Sequence, residues 1–219
     1  MSEVQNKIVG VIGRKGSGKS TRVKTILLYV PRICVWDPMR EYLDTVANKV
    51  EGPNYEEGEH ILHPCFKEAG RTKTFALTYI PDEASEEEFE EICQIVYHYG
   101  HMLLVVEEAP LVMKAGYMPP TFGKIVRTGR HRGLDLLWTA QRAAEVSRTL
   151  TSMTDVFIFY SQTEPRDLDA IADRCGREAA DRVAGLGLHD SFTWDVIDRK
   201  VIEDSPRLLK REVPSAQAR

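Results

Sequence analysis

Eight consecutive residues, Gly13-Arg14-Lys15-Gly16-Ser17-Gly18-Lys19-Ser20, have the types and spacing of a phosphate cradle, G-x-x-x-x-G-K-[ST]. Glycines let the backbone curl until several N–H groups face one anion. A helix that starts at the same place adds the partial positive charge of its N-terminus. Lys19 would reach the β- and γ-phosphates, and the Ser20 hydroxyl would hold Mg²⁺. The residues expected against a nucleoside triphosphate are therefore Gly13, Arg14, Lys15, Gly16, Ser17, Gly18, Lys19, Ser20 and Thr21. Both flanks agree. Residues 7–12 read as a short buried strand, and Val23, Ile26, Leu27 and Val30 recur at helical spacing over 20–30.

Ligands of open parallel sheets sit at the carboxyl ends of the strands, so the residues after each apolar run matter next. Those ends carry the phosphate loop, Asp37, Glu107-Glu108 and Gln141, and all are expected to converge on one crevice. Glu107-Glu108 resembles the Walker B element of P-loop ATPases. There the first acid helps hold Mg²⁺ and the second polarises the attacking water. Most such proteins have Asp then Glu; this chain has Glu twice. The extra strand and helix between the two elements read as placing them on neighbouring but non-consecutive strands, which suits motor ATPases better than nucleotide kinases. Gln141 could sense the γ-phosphate or orient the water, or simply cap a helix. Arg127, Arg130 and Arg132 lie just before the same strand. One of them could be a finger inserted into a neighbouring subunit, and at least one is expected only to favour a helix C-terminus.

The elements that must position these residues alternate. Strands are expected over 32–37, 74–80, 102–106, 134–139, 156–160 and 192–197. Helices are expected from Pro81-Asp82 onward, from the 110–120 loop to about Arg130, and over 143–152, 165–175 and 177–184. Residues 44–72 hold Gly52, Pro53, Asn54, Gly58, Pro64 and Gly70 with weak periodicity, a loop-rich insertion. The pattern is α/β, a mostly parallel central sheet with helices on both faces, in one domain over 1–204 followed by a frayed polar tail over 205–219.

Composition bounds the alternatives. A chain of 219 residues with 42% hydrophobic content suits one domain with a sizeable core. No apolar run is long enough to span a bilayer, and the first residues lack a signal peptide's pattern, so a cytoplasmic protein is expected. Cys34, Cys65, Cys93 and Cys175 read as reduced thiols. His60, His63 and Cys65 hint at zinc without a fourth ligand, and His98 and His101 read as helix caps. The net charge of −4 excludes a uniformly basic surface. It permits a local basic patch between Lys114 and Arg148.

Residues 129–142, Gly-Arg-His-Arg-Gly-Leu-Asp-Leu-Leu-Trp-Thr-Ala-Gln-Arg, taken with the paired acids, resemble the FtsK/HerA superfamily of ring-forming DNA translocases. Arg130, Gly133, Thr139, Gln141 and Arg142 fit that family's spacing. The run Asp37-Pro38-Met39-Arg40-Glu41-Tyr42 is similar to its Asp-Pro-x-x-Glu-Tyr element, and Thr154-Asp155-Val156 through Asp167 resembles its next strand and acidic helix. The resemblance covers most of residues 7–175. Within the superfamily the chain looks most like the compact genome-packaging ATPases of membrane-containing icosahedral viruses.

The resemblance implies a RecA-like P-loop NTPase with ATP and Mg²⁺ as cofactors. Its catalytic set would be Lys19, Glu108, Gln141 and Arg130, with Ser20 and Glu107 on the metal. It implies double-stranded DNA as a sequence-independent partner, a homo-oligomeric ring of six copies, capsid or membrane vertex proteins as docking partners, and work in the host cytoplasm or on the virion. Lys114 is the first candidate for DNA contact. A monomeric P-loop phosphotransferase and a nucleotide-switch assembly protein that does not move DNA are the rival readings.

Overall fold

The apolar runs become strands in the computed structural model, which describes residues 7–46, 48–52, 55–56, 59–114 and 116–209. They are β1 (Ile8–Ile12), β2 (Arg32–Trp36), β3 (Asn48–Glu51), β4 (Tyr55–Glu56), β5 (Glu59–His60), β6 (Phe75–Ile80), β7 (Leu103–Val106), β8 (Asp135–Ala140), β9 (Val156–Tyr160), β10 (Ser191–Asp195) and β11 (Lys200–Ile202). The helices are α1 (Lys19–Leu27), α2 (Leu62–Ala69), α3 (Glu86–Tyr99), α4 (Pro120–Thr128), α5 (Arg148–Met153), α6 (Pro165–Cys175) and α7 (Arg177–Ala184).

Nine strands form one sheet in the order β11-β10-β9-β1-β8-β7-β2-β6-β3, and β4 with β5 makes a separate small hairpin. From β3 to β9 every pairing is parallel; β10 and β11 close the sheet antiparallel. Strand β8 pairs with both β1 and β7. The phosphate loop and the paired acids are thus not on neighbouring strands, as the order along the chain suggested. A whole strand lies between them. Strand order is a non-local choice, and the local pattern of an apolar run carries nothing about its neighbours.

Alternate side chains divide the core in two. Val9, Val11, Ile33, Val35, Leu103, Val105, Leu137 and Ile158 pack with Val23, Ile26 and Leu27 of α1. The opposite set, including Ile12, Trp36, Leu104, Trp138, Phe157 and Trp194, packs with buried residues of α2 through α7. Helices cover both faces, but unequally: among the described residues, α1 has one face with Tyr42, Val46 and Leu209 beside it.

Several boundaries differ from the sequence expectation for local reasons. Helix α3 starts at Glu86, behind a cap at Ser85 four residues past Pro81, because the Ser85 hydroxyl accepts from Glu88 N–H at 3.1 Å and three glutamates follow in the first turn. The expected helix over 143–152 splits into a 3₁₀ turn at Ala143–Glu145 and α5. The insertion over 44–72 holds edge strand β3 and helix α2, whose Leu62, Phe66 and Ala69 reach the core. Ser205–Leu209 is not frayed: Leu209 is buried and Arg207 stacks on Tyr29, while the rest of the tail lies outside the described residues.

No zinc site forms among the described residues. His60 Nδ1 accepts from Leu62 N–H at 3.1 Å and His63 meets the Tyr99 hydroxyl at 3.3 Å. The four cysteines are free thiols, three of them buried, and burial pushes Cys34 and Cys175 up to about 12. No helix among the described residues is long and apolar enough to cross a membrane.

The joint between β1 and β8 has no room to spare. A Cβ on Gly10 would meet Trp138 Cζ2 at 2.4 Å, and that indole is buried with its N–H donated to Thr154 Oγ1 at 3.1 Å. Gly10→Ala is therefore expected to lower stability by about 1–3 kcal/mol. The check is a urea midpoint that falls while the slope stays constant; an unchanged midpoint would contradict the packing described.

Candidate active site

The turn between β1 and α1 is built as the sequence predicts. Gly16 and Gly18 take φ of +76° and +103°, the left-handed region that side chains disfavour. Gly13 is required for a different reason: a Cβ there would lie 2.5 Å from Tyr160 Cβ and 2.7 Å from Ser17 Oγ. Gly13 N–H donates to Ala140 O at 3.1 Å, and the Tyr160 hydroxyl donates to Gly18 O at 3.3 Å. The loop is thereby fixed to β8 on one side and to β9 on the other.

Lys19 is buried, with its ammonium donating to Gly13 O at 2.6 Å and Arg14 O at 3.3 Å. Burial lowers its pKa, against the opposing pull of Glu108, Glu107 and Glu41. Ser17 Oγ is buried with no hydrogen-bond partner, and open space lies where a Gly16 side chain would stand. Arg14 and Lys15 are exposed at the crown. Ser20 and Thr21 fall in the first turn of α1, behind Lys19. An unsatisfied hydroxyl inside a lysine-bearing loop of curled backbone fits an anion such as a triphosphate.

Strand β8, beside the loop, also supports the acids. Thr139 Oγ1 accepts from Glu108 N–H at 2.8 Å and its hydroxyl donates to the Glu107 carboxylate. Gln141 N–H donates to Glu108 Oε1 at 3.1 Å, and the Gln141 side chain is hydrogen-bonded to the same carboxylate. Glu108 itself has φ of +51°, a strained setting for a side-chain-bearing residue, which is a pattern associated with functional positions. The Tyr42 hydroxyl donates to Glu107 Oε2 at 2.5 Å. Burial and the neighbouring Glu107 charge hold that phenol well above its usual range, so it remains a donor.

Both acids are buried. Burial raises the Glu107 pKa from 4.5 to about 7, against the lowering effect of Tyr42 and Thr139. It raises Glu108 as well, with Gln141 N–H and Lys19 opposing. Glu107 and the Ser20 hydroxyl offer hard oxygen donors of the kind Mg²⁺ takes, so the residues present fit that ion.

Asp37 does not join this group directly. It is fully buried, with its two oxygens accepting from Glu41 N–H and Tyr42 N–H, each at 2.9 Å. Arg130 does not either. It is exposed in a 3₁₀ turn before β8, at the amino edge of the sheet, and six strand residues of about 3.3 Å each, ~20 Å in all, separate it from Gln141. Arg132 donates to Tyr97 O at 2.9 Å and to His98 O, capping α3, whereas Arg127 donates to Gly123 O of its own helix. Arg142 pairs with the buried Asp167 at 3.1 Å.

With this geometry the relatives can be placed. The genome-packaging NTPase B204 of Sulfolobus turreted icosahedral virus 2, solved with ATPγS, matches with a TM-score of 0.73 over 92% of this chain and 97% of its own, at 21% identity. This chain has the fold of a P-loop NTPase. B204 of Sulfolobus turreted icosahedral virus, a DNA-packaging ATPase, gives 0.70 over 92% and 97%, at 22% identity. VirB4 of Thermoanaerobacter pseudethanolicus gives 0.58 over 89% and 88%, at 12% identity. In sequence, 145 residues match Protein P9 of Pseudoalteromonas phage PM2 at 29% identity, over 64% of this chain and 62% of that protein's length. No family model matches. The viral packaging NTPases are the proteins to which the motif pattern pointed.

Sequence reasoning gave no role in this NTPase fold to Tyr42, Tyr160 or Gln162. Gln162 is buried and donates from Nε2 to Gln141 O at 2.9 Å. A polar residue two positions past a buried strand was the available signal for it, as one directly past a strand was for Gln141.

The acids carry a stability consequence. The folded pKa of Glu107 is above its ordinary value, so native stability is lost as pH rises from 4.5 towards 7, where the folded protein must give up a proton it held. Glu107→Gln is expected to raise the unfolding free energy in metal-free buffer at pH 8 by on the order of 3 kcal/mol at most, seen as a higher Tm. The gain should shrink towards pH 5. An offset that does not change with pH would show that Glu107 is not held neutral by burial.

Proposed function

We propose that this chain is an ATP-hydrolysing motor that moves double-stranded DNA as a ring, six copies acting together, to package a viral genome. One observation carries the reading. Two buried glutamates and a glutamine are held by a single strand beside a lysine-bearing phosphate loop. The likeness to B204, in fold, and the partial match to a phage protein support it.

Lys19 neutralises the β- and γ-phosphates, while loop N–H groups and Ser17 hold the remaining oxygens. Ser20 and Glu107 would hold Mg²⁺, which would supply charge neutralisation to the phosphates. Glu108 orients the attacking water, and its raised pKa suits it to accept a proton. Gln141, bonded to Glu108 through both its backbone and its side chain, reports whether the γ-phosphate is present.

Arg130 lies at the opposite edge of the sheet from its own chain's loop, and that position supports a role at the site of the next copy. Lys114 stands 77% exposed at a tight turn closed against Tyr117, and its pair with Glu86 at 3.4 Å is a surface pair worth roughly 0–1 kcal/mol. DNA phosphate would compete with Glu86 for that ammonium. Contact through phosphates gives binding without sequence preference and with steep salt dependence. Such a motor works in the host cytoplasm and docks on a capsid or membrane vertex.

The test is ATPase rate against protein concentration, with and without double-stranded DNA of random sequence, at low and moderate salt. The expected result is a rate per chain that rises with assembly and with DNA, and loses its DNA stimulation as salt rises. Lys19→Ala and Glu108→Gln should each abolish at least 99% of the activity. A rate indifferent to both concentration and DNA would leave a monomeric phosphotransferase. A ring indifferent to DNA would leave a nucleotide switch.

A further inference from the structure

The segment Asp37-Pro38-Met39-Arg40-Glu41-Tyr42 stands out in the sequence, yet phosphate binding and water activation do not use it. Its geometry is nonetheless specific. Asp37 ends β2 completely buried and spends both carboxylate oxygens on the backbone N–H groups of Glu41 and Tyr42. That clamp turns the chain back over the sheet. Arg40, inside the turn, has φ of +57°, and Arg40 N–H closes onto Asp37 O at 3.3 Å. The result is a buried tyrosine ring whose hydroxyl ends 2.5 Å from one oxygen of Glu107. The partner strand supplies the other restraint, through Thr139.

We propose that Tyr42 is a positioning residue for Glu107, holding the longer glutamate where most P-loop ATPases place an aspartate, and that Asp37 holds Tyr42 in turn. The proposal rests on the reading of Glu107 as the acid on the metal side of the site. A glutamate has one more rotatable bond than an aspartate, so its carboxylate is less defined by the backbone alone. Hydrogen bonds from two elements, β8 and the turn after β2, remove that freedom. A metal acid so fixed loses little on binding the ion, and partners of this kind commonly change metal affinity or activity by 10–100-fold when removed.

The experiment compares Tyr42→Phe, Glu107→Gln, Glu107→Asp and the double variant Tyr42→Phe/Glu107→Asp in the full chain. Mn²⁺ affinity in the presence of ATPγS is read by electron paramagnetic resonance, and affinity for a fluorescent ATP analogue is read in EDTA. Tyr42→Phe is expected to weaken Mn²⁺ binding roughly tenfold or more while nucleotide affinity in EDTA stays within about twofold. Added to Glu107→Asp it should change Mn²⁺ affinity little further, because the tyrosine acts through the glutamate.

Unchanged Mn²⁺ affinity in Tyr42→Phe, with a loss in Glu107→Gln, would overturn the proposal and leave the metal role of Glu107 intact. Unchanged affinity in Glu107→Gln would overturn both. Full additivity in the double variant would show that Tyr42 acts elsewhere. Should Tyr42→Phe fail to fold, Asp37→Asn in the same two assays decides: a selective loss of Mn²⁺ affinity supports the positioning role, and no loss overturns it.

Discussion

Everything in the site depends on β8 lying between β1 and β7. Because it pairs with both, one edge of it fixes the phosphate loop, through Ala140 O and Gly13 N–H, and the other fixes the acids, through Thr139. Its last step outward delivers Gln141 onto Glu108. A loop and a pair of acids on adjacent strands would have no such intermediary. The strand joins the phosphate loop to the paired acids in one rigid element. Gly10 makes the pairing possible by letting the Trp138 indole lie against β1.

The second constraint is electrostatic. Two carboxylates and an ammonium are removed from water within one small volume, and each is moved towards its neutral form by burial. Buried charge is tolerable only when hydrogen-bonded and paired. The donors found here come from two separate segments, Tyr42 from the turn after β2 and Thr139 and Gln141 from β8 and its end. The outer support follows the same logic: Gln162 holds Gln141 O, and Asp167 takes both Arg142 and Ala144 N–H. The polar residues at the strand ends therefore form two tiers, one gathered around the phosphate loop and one that holds the first in place.

How much of this was legible follows from how local each feature is. The phosphate loop was readable because glycine positions, the lysine and the flanking periodicities all lie within about twenty residues. Helices α6 and α7 were readable for the same reason. The order of the strands was not, since an apolar run looks alike beside any neighbour, and so the sequence placed the loop and the acids side by side. Asp37 was read as a site residue because a carboxylate after a strand looks the same whether it meets a ligand or a backbone turn. Tyr42 was named only as part of the Asp-Pro-x-x-Glu-Tyr run and had no role, because its bond to Glu107, 65 residues away, leaves no local signal. The helix α2 was hidden by Pro64 and Gly70, which fall in its first turn and at its end, where they do no harm.

We propose that the site is completed by Arg130 from another copy, since within one chain that residue lies at the far edge of the sheet from the phosphate loop. The direct measurement is ATP hydrolysis by mixtures of two inactive variants, Arg130→Ala and Glu108→Gln. If copies share sites, a mixture contains interfaces in which an intact Glu108 faces an intact Arg130, and activity should return with a maximum near equal proportions. Mixtures as inactive as their components, in assemblies shown to contain both variants, would contradict it.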